Sequence, residues 1–291
     1  MVKSYERFRK LIQSGWAVIS NGYLLGFVSG KIYNGRLKSL CLPGLNCYSC
    51  PGSLGSCPIG ALQAVLGSSL HRVSFYMLGF FLIVGTFLGR LVCGFLCPFG
   101  LIQELLNKIP FFKKIKTFRE DKLLRRAKYA ILLVFVILLP MLSVDAAGGG
   151  APWFCKLICP AGTLEGGIPL ISANPALREI VGFLFSWKLF ILLVTVIASI
   201  IICRPFCKYI CPLGAIYAPF NKLSLYSYAV DKSKCTDCKK CESVCPMNIK
   251  PQSETNSPEC IRCGACKSSC PWGAVSSAFG CKSRKAKKRA Q

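Results

Sequence analysis

Residues 235–246 read CTDCKKCESVCP, and residues 260–271 read CIRCGACKSSCP. Each stretch has three cysteines separated by two residues, and a fourth cysteine follows three residues later, directly before a proline. In the bacterial version of this run, three cysteines hold one [4Fe-4S] cluster and the fourth binds a second cluster. Zinc knuckles, the alternative, come as paired C-x2-C units without the trailing Cys-Pro. The spacing therefore predicts a C-terminal region that holds two clusters.

The exchange of the fourth cysteine predicts the two ligand sets. One cluster is expected on Cys235, Cys238, Cys241 and Cys270. The other is expected on Cys260, Cys263, Cys266 and Cys245. We therefore predict an α+β domain of the bacterial two-[4Fe-4S] ferredoxin type over residues 223–281, followed by a basic tail over 282–291.

The composition of the whole chain points to a membrane. Of 291 residues, 20 are cysteine and 53% are hydrophobic, the mean hydropathy is +0.47 and the net charge is +25. The length excludes a small disulfide scaffold, and the hydrophobicity excludes a disordered chain. A soluble nucleic-acid binder accounts for the charge but not for the hydropathy. A membrane protein with basic faces and many metal-binding thiolates accounts for both.

Four apolar stretches approach the ~20 residues that a helix needs to cross ~30 Å of hydrocarbon. They cover residues 11–30, 73–96, 129–147 and 180–202. We therefore predict that residues 1–222 form an α-helical membrane domain with four transmembrane helices.

The distribution of charge predicts the orientation of these helices. Segments 1–10, 97–128 and 203–291 carry 4, 9 and 16 Lys or Arg, whereas segments 31–72 and 148–179 carry 4 and 2. Positively charged loops stay in the cytoplasm. The charges therefore predict a multi-pass protein of a prokaryotic cytoplasmic membrane, with both termini in the cytoplasm.

The membrane domain contains an internal repeat. Four segments are alike, namely CPIGALQ at 57–63, CPFGLIQ at 97–103, CPAGTLE at 159–165 and CPLGAIY at 211–217. Because spans and motifs alternate in the same order in each half, we predict two parallel repeats about an axis along the membrane normal. We expect a short helix after each Cys-Pro pair, and the apolar spacing of 101–109 favours an amphipathic helix in the interface.

Two motifs lie on the predicted cytoplasmic side, Cys93-x3-Cys97-Pro and Cys207-x3-Cys211-Pro. Cysteines at this spacing on a helix end share one face. Two such pairs, related by the repeat, supply four ligands and predict a third [4Fe-4S] cluster. The alternative is that they are buried free thiols, because cysteine packs as a small hydrophobic residue.

Six cysteines lie on the predicted outer side, namely Cys41, Cys47, Cys50, Cys57, Cys155 and Cys159. The repeat pairs Cys57 with Cys159, and Cys155 adds a C-x3-C pair. We expect Cys50 as the fourth ligand of an outer-face cluster, with Cys47 and Cys41 as alternatives. Cysteines 41, 47, 50 and 57 also suffice for a local site of their own. Disulfides are a further alternative on a face that can be oxidising.

The order of four spans, two inner C-x3-C-P motifs and a C-terminal two-cluster region resembles the NapH/MauN-type membrane ferredoxins. The same core is similar to that of NosR and of CcoG-type proteins, and the resemblance covers roughly residues 70–275. It implies an electron-transfer subunit in the cytoplasmic membrane, working between quinol, ferredoxin-type partners and flavin or haem proteins. The outer cysteines are an addition to the NapH pattern. The chain lacks the external FMN-binding domain of NosR, so a separate flavin protein is a candidate partner.

We therefore predict an iron-sulfur protein that carries electrons across the membrane. The donor would be an acidic cytoplasmic electron carrier, and the acceptor an extracytoplasmic flavin or other redox protein. A quinol-linked oxidoreductase is the alternative, with a quinone as a further cofactor and His71, Lys188 or Arg90 as its polar contact. A CcoG-like metal reductase, an assembly factor or a redox sensor is a third hypothesis.

The basic segments and the absence of further motifs limit the classes of partner that we expect. The basic tail favours anionic membrane lipids over nucleic acid, and the basic face favours an acidic carrier. No nucleotide-binding or hydrolase motif is present, so no catalytic residue is predicted. Cys203 and Cys281 have no partner in this scheme. Membership of a larger membrane complex and a homodimer both stay open.

Overall fold

A computed structural model describes residues 2–68, 74–110, 114–116, 118–143, 149–179 and 181–280. Three features singled out in the sequence, His71, Cys281 and the basic tail, lie outside the described residues.

The described chain is mostly helical. In chain order the α-helices are α1 Val2–Ser20, α2 Leu25–Ser29, α3 Pro58–Leu66, α4 Phe75–Phe87, α5 Leu91–Phe95, α6 Pro98–Asn107, α7 Asp121–Ile131, α8 Leu139–Leu142, α9 Trp153–Leu157, α10 Ile168–Ala173, α11 Pro175–Glu179, α12 Phe183–Ile201, α13 Pro205–Tyr209, α14 Pro212–Tyr217, α15 Phe220–Leu223, α16 Lys240–Ser243 and α17 Ala265–Ser269. A 3₁₀ turn covers Arg36–Ser39, and π-helical segments cover Leu132–Leu138 and Gly162–Gly167. The two strands are β1 Ser227–Val230 and β2 Val275–Ala278.

One helix of the described chain, α12, is long and apolar enough to cross a membrane. It has 19 residues with a mean hydropathy of 2.3, and only 17% of its apolar window is buried. It coincides with the predicted span 180–202. Helix α4 is apolar but has only 13 residues. The structure therefore shows one candidate span, and the predicted set of four is not shown.

The other three predicted spans differ from single apolar helices for local reasons. The span 11–30 divides into α1 and α2, which are separated by a turn at Asn21. The span 73–96 divides into α4 and α5, because Gly89 adopts a left-handed conformation (φ 56°) between them. The described part of the span 129–147, residues 129–143, continues the charged helix α7 and passes through the π-helical segment into α8, which ends at Leu142.

The Cys-Pro pairs start helices, as the repeat predicts. Pro58, Pro98 and Pro212 occupy the first positions of α3, α6 and α14, each after a cysteine in extended conformation. Proline suits this position because the first N–H groups of a helix have no intrahelical partner. Helix α6 does not lie on one side in an interface, however. It packs between α1 and α12, and its Gln103 and Glu104 are buried.

The C-terminal region has the predicted α+β character. Strands β1 and β2 pair antiparallel, with Ser227 opposite Ala278 and Val230 opposite Val275. Helices α16 and α17, which contact each other, each lie within one cysteine run.

This region packs directly on the helices of residues 1–222, the predicted membrane domain. The guanidinium of Arg262 donates to the carbonyls of Leu88 (3.1 Å) and Asn221 (2.7 Å). The backbone of Gly94 in α5 lies so close to the carbonyl of Ile261 that a side chain there would clash with it. Helices α1 and α17 also contact each other. The cysteine loop of the C-terminal region is therefore part of one packed body with α1, α4 and α5.

We expect Gly94→Ala to destabilise this packing, because the added methyl group meets the backbone of Ile261, which cannot rotate away. Overpacking of this kind costs about 1–3 kcal/mol. The control is Gly79→Ala, since a methyl group at Gly79 in α4 has nothing within 4 Å. Thermal unfolding followed by circular dichroism should show a lower midpoint for Gly94→Ala only. Equal midpoints would contradict the contact.

Candidate cluster-binding sites

Two enclosed cavities lie in the C-terminal region, and each is surrounded by four thiols. The cavity between β1 and α16 is lined by Cys235, Cys238, Cys241 and Cys270. The cavity beside α17 is lined by Cys245, Cys260, Cys263 and Cys266. The structure thus brings together the two sets that the spacing predicts, with the fourth cysteine of each run in the other set. We call them the distal site and the proximal site.

The two sites differ in their exposure. Burial, together with the neighbouring Cys245 and Cys260, raises the pKa of the Cys263 thiol to about 12 in the proximal site. In the distal site the side chain of Cys238 is exposed, and Trp272, which lines the same cavity, is 60% exposed. The distal site is therefore the one that a partner at the surface can approach.

The four inner cysteines form a third set, the inner site. Cys93, Cys97, Cys207 and Cys211 are all between 6% and 8% exposed. Burial, followed by the neighbouring Cys207 and Cys93, raises the pKa of the Cys97 thiol to about 12. Four crowded, desolvated thiols strongly disfavour free thiolate charge, and a bound cation core removes that penalty. The set fits a metal cluster.

A glutamine joins the two halves of the inner site. The Gln103 side chain donates from Nε2 to the sulfur of Cys207 (3.3 Å), and its Oε1 accepts from the backbone N–H of Phe206 (3.2 Å). Gln103 closes the CPFGLIQ copy of the repeat, whereas Cys207 precedes the CPLGAIY copy. The first half therefore holds the second half at the cysteine pair itself.

The outer cysteines surround a larger cavity of about 430 Å³. Four of them line it, namely Cys47, Cys57, Cys155 and Cys159. These four also act on one another's thiols, because Cys155, Cys47 and Cys57 all oppose ionisation of Cys159. We call this set the outer site. The sequence analysis expected Cys50 as the fourth cysteine of this set, with Cys47 as an alternative, and it is Cys47 that lines the cavity.

The outer site repeats the glutamine arrangement of the inner one. Gln63 donates from Nε2 to the sulfur of Cys155 (3.3 Å), and its Oε1 accepts from the N–H of Phe154 (2.9 Å). Gln63 and Gln103 hold the same position in their copies of the repeat. The same three-way contact therefore occurs twice, as expected for two repeated halves.

The corresponding residue of the third copy, Glu165, also reaches a cysteine loop. Its Oε2 accepts from the backbone N–H of Cys47 at 2.7 Å. Burial raises the pKa of Glu165 to about 7, and its Oε1 has no partner. In the fourth copy, Tyr217 is fully buried and its hydroxyl lies 3.4 Å from the carbonyl of Pro43. The sequence analysis gave no role to these four residues, although each is the seventh residue of its copy of the repeat. That shared position was the signal in the sequence that could have indicated their role.

The remaining cysteines lie outside these sets. The sulfur of Cys50 contacts Asn21 at 3.5 Å, and that of Cys41 lies 3.7 Å from the sulfur of Met77. The structure therefore does not gather the cysteines of 41–57 into a local site. Cys203 is a half-buried neighbour of Cys207 outside the inner four. Every described cysteine is a free thiol. Among the described residues, no three His, Cys, Asp or Glu side chains are grouped to hold a single metal ion.

The inner and outer sites are close to each other. A Cβ atom at Gly44, next to Leu45 in the lining of the outer cavity, would lie 3.1 Å from the Cα of Cys97. Leu45 is two residues from Cys47, and two residues span at most about 7 Å. The sequence placed these sites at opposite ends of the bundle. They are adjacent because the loop folds inward, and Gly44 allows it to approach the carbonyl of Leu96.

Four sets of four thiols, two of them in ferredoxin spacing, define an iron-sulfur protein. Two family models, both described as 4Fe-4S binding domain, match the chain. One covers residues 70–119 and 183–225, and the other covers 228–250 and 255–276. No solved structure matches the chain.

The chain is also similar in sequence to individual known proteins. An uncharacterized protein of Methanocaldococcus jannaschii is 32% identical over 203 residues, which are 68% of this chain and 75% of the relative. The methylamine utilization ferredoxin-type protein MauN of Paracoccus denitrificans is 27% identical over 168 residues, 57% of this chain and 50% of MauN. The regulatory protein NosR of Pseudomonas aeruginosa is 27% identical over 171 residues, 58% of this chain but 22% of NosR.

The chain belongs to this family of ferredoxin-type polyferredoxins related to MauN and NosR. It is a 4Fe-4S-binding protein of ferredoxin-type electron transport, and the resemblance stated from the cysteine motifs is confirmed.

The glutamines allow a paired test. We expect Gln63→Ala to weaken iron retention in the outer site only, and Gln103→Ala to do so in the inner site only. Each change removes an amide bonded to a cysteine sulfur and leaves the buried N–H of a phenylalanine without a partner, which costs about 1–3 kcal/mol. Iron released to a chelator, with the sites told apart by EPR, measures the effect. Each variant is the control for the other, and equal losses at both sites would contradict the assignment.

Proposed function

We propose that this protein is a membrane-bound relay that carries electrons between the cytoplasm and the outer side of the membrane. Electrons would pass through the distal, proximal, inner and outer sites in that order or its reverse. A [4Fe-4S] cluster supplies one-electron redox chemistry, and charge, hydrogen bonds and exposure set its potential.

The observation that carries the proposal is an unbroken series of contacts between the four sites. The distal and proximal sites share the two cysteine runs. Cys245 of the first run lines the proximal site, and Cys270 of the second run lines the distal site. A Cβ atom at Gly94, next to Cys93 of the inner site, would lie 3.6 Å from the Cα of Cys263 in the proximal site. A Cβ atom at Gly44, beside Leu45 of the outer cavity, would lie 3.1 Å from the Cα of Cys97 in the inner site. Because electron transfer slows steeply with distance, such close succession is what a relay requires.

The residues around each site fit the clusters that we assign to it. We propose that Cys47, Cys57, Cys155 and Cys159 hold the outer cluster, and that the other three sets bind as the sequence predicts. The amide groups of Gln63 and Gln103 each donate to a cysteine sulfur. Hydrogen bonds of this kind stabilise thiolate charge. The chain therefore orients and stabilises its ligands in the same manner in both membrane-domain sites.

The surface of the helices supports a position in the membrane. Large apolar side chains are exposed on several helices, among them Val18 of α1, Phe75 of α4, Leu142 of α8 and Phe183 of α12. Exposed apolar surface on this scale marks an interaction with lipid or another protein. We propose that the helices cross the cytoplasmic membrane in the four-span layout, with both termini in the cytoplasm. The broken segments would cross as helix pairs whose freed backbone groups are buried in protein.

We propose that an acidic cytoplasmic electron carrier docks at the distal site. Cys238 is exposed there, and the exposed Lys239 and Lys240 line the same cavity. Positive charge beside an accessible redox group raises the encounter rate of an acidic partner. At the other end, the mouth of the outer cavity includes the half-exposed Tyr48. A flavin or other redox protein outside the membrane would exchange electrons there.

The relay predicts an iron content. We expect about 16 iron atoms per chain, four for each cubane cluster. Cys57→Ser and Cys159→Ser should each lower the count towards about 12, and so should Cys93→Ser, while Cys50→Ser should leave it unchanged. Iron and acid-labile sulfide assays, with EPR of the reduced protein, measure this. A wild-type count of about eight, with Cys93→Ser and Cys57→Ser silent, would overturn the relay.

Docking at the distal site predicts a salt-dependent rate. We expect the double variant Lys239→Gln/Lys240→Gln to accept electrons from a reduced acidic ferredoxin roughly tenfold more slowly at low ionic strength. Salt screens exposed charges beyond ~10 Å at 0.1 M, so the difference should shrink as salt rises. Lys31→Gln, an exposed lysine in another part of the chain, is the control. Stopped-flow absorbance measures the rate, and unaltered, salt-independent kinetics would contradict the docking.

A further inference from the structure

Two buried groups of charges lie beside the inner site, and they are built alike. In the first, Glu104 of α6 lies between two arginines. Arg9 of α1 donates to its Oε2 from Nη2 at 2.6 Å, and Arg204 donates to its Oε1 from Nε at 2.9 Å. All three residues are at most 7% exposed. Burial alone would raise the pKa of Glu104, but Arg204 and Arg9 lower it overall. The carboxylate is therefore ionised, and the group has a net charge of one positive.

The second group repeats the order cation, carboxylate, cation. Glu259 of the C-terminal region accepts from Lys128 Nζ at 2.5 Å and from Arg90 Nη1 at 3.2 Å. Arg90 and Lys128 are fully buried. Both contacts are ion pairs, so Glu259 is held between two cations. This group, too, has one positive charge in excess. We call the two groups the Glu104 triad and the Glu259 triad.

Each triad directs one arginine at the inner site. Arg204 donates from Nη1 to the backbone carbonyl of Cys93, and its guanidinium packs over Gly100, three residues after Cys97. Arg90 packs in the same way over Gly214, three residues after Cys211. The chain shows the same relation, since Arg90 and Arg204 each precede a cysteine of the site by three residues. The two halves therefore exchange arginines across the glycines of their C-P-x-G motifs.

The exchange places two fixed positive charges where reduction adds negative charge. Four thiolates already make the site strongly anionic, and a further electron is unfavourable in a buried, low-dielectric setting unless cations lie nearby. A guanidinium stays charged at all relevant pH values, so the charge of the two arginines does not depend on titration. Arg90 keeps two guanidinium nitrogens, Nε and Nη2, without a hydrogen-bond acceptor, whereas Nη2 of Arg204 lies 2.9 Å from Oε1 of Glu104. Free donors of this kind favour an anionic neighbour.

We propose that Arg90 and Arg204 are positioning residues that set the reduction potential of the inner cluster, and that this potential follows the net charge of the Glu104 and Glu259 triads. The proposal rests on the proposed function, because it requires a cluster on the four inner cysteines. It adds that the membrane domain tunes this site separately from the outer one. At the outer site the neighbouring charges are Glu165 and Lys188, whose Nζ would lie 3.7 Å from a Cβ at Gly162.

Opposite changes of charge within one triad provide the test. The inner cluster is identified by the EPR signal that Cys207→Ser removes, and its potential is measured by redox titration of the purified full-length protein. Arg204→Gln should lower the potential, so that the ratio of reduced to oxidised cluster at the wild-type midpoint falls about tenfold, equivalent to about 59 mV. Glu104→Gln should raise it, and the double variant should return towards the wild type.

Three further variants complete the test, and the first separates charge from packing. Arg204→Lys keeps the charge and should stay near the wild-type potential, and Lys188→Gln, at the outer site, should leave the inner potential unchanged. Arg9→Gln should lower it, so the test survives if Arg204→Gln loses its cluster. Shifts of the same sign for Arg9→Gln and Glu104→Gln, or no shift with the inner signal intact, would overturn this inference alone. A wild-type protein without the inner signal would overturn the proposed function as well.

Discussion

The pairing of distant segments at each four-thiol site is the constraint on which the rest of the structure depends. The inner site joins a cysteine pair from one half of the membrane domain to a pair from the other, and the outer site joins two loops more than 90 residues apart. At both sites a glutamine joins the two segments, because Gln63 and Gln103 each donate to a cysteine sulfur and accept from a phenylalanine N–H. Each helix that begins at a Cys-Pro pair is thereby held in one orientation.

Burying the charge of four thiolates together is costly without compensation, and so is burying the charge of an arginine. At the inner site the structure buries the four cysteines and the two arginines beside each other. Arg90 and Arg204 are fully buried, but each is paired with a glutamate that has a second cation on its other side. A buried charge is tolerated when it is paired and hydrogen-bonded. The excess positive charge that remains lies beside the four inner cysteines, so the electrostatic balance of the core would include the cluster that we propose there.

The same contacts that stabilise the fold bring the sites into succession. Gly94 allows the inner helix to meet the proximal loop, and Gly44 allows the outer loop to meet Leu96. Close backbone approach of this kind requires a residue without a side chain. One continuous core of buried residues includes Cys57, Cys97, Met247 and Ile261, and it therefore contains residues of the outer and inner sites together with residues of the C-terminal region. The same close packing therefore stabilises the fold and keeps the sites of the proposed relay near one another.

The sequence by itself determined which cysteines of the C-terminal region belong together, because their spacing is local and matches the geometry of a cubane. It also determined the helix starts at the Cys-Pro pairs and the repeat. Only the tertiary structure decided in favour of Cys47 over Cys50, since both lie in one short loop and its fold alone determines which thiol faces the cavity. The charge triads were likewise hidden, because Arg9, Glu104 and Arg204 are far apart in the chain and meet only when the helices pack.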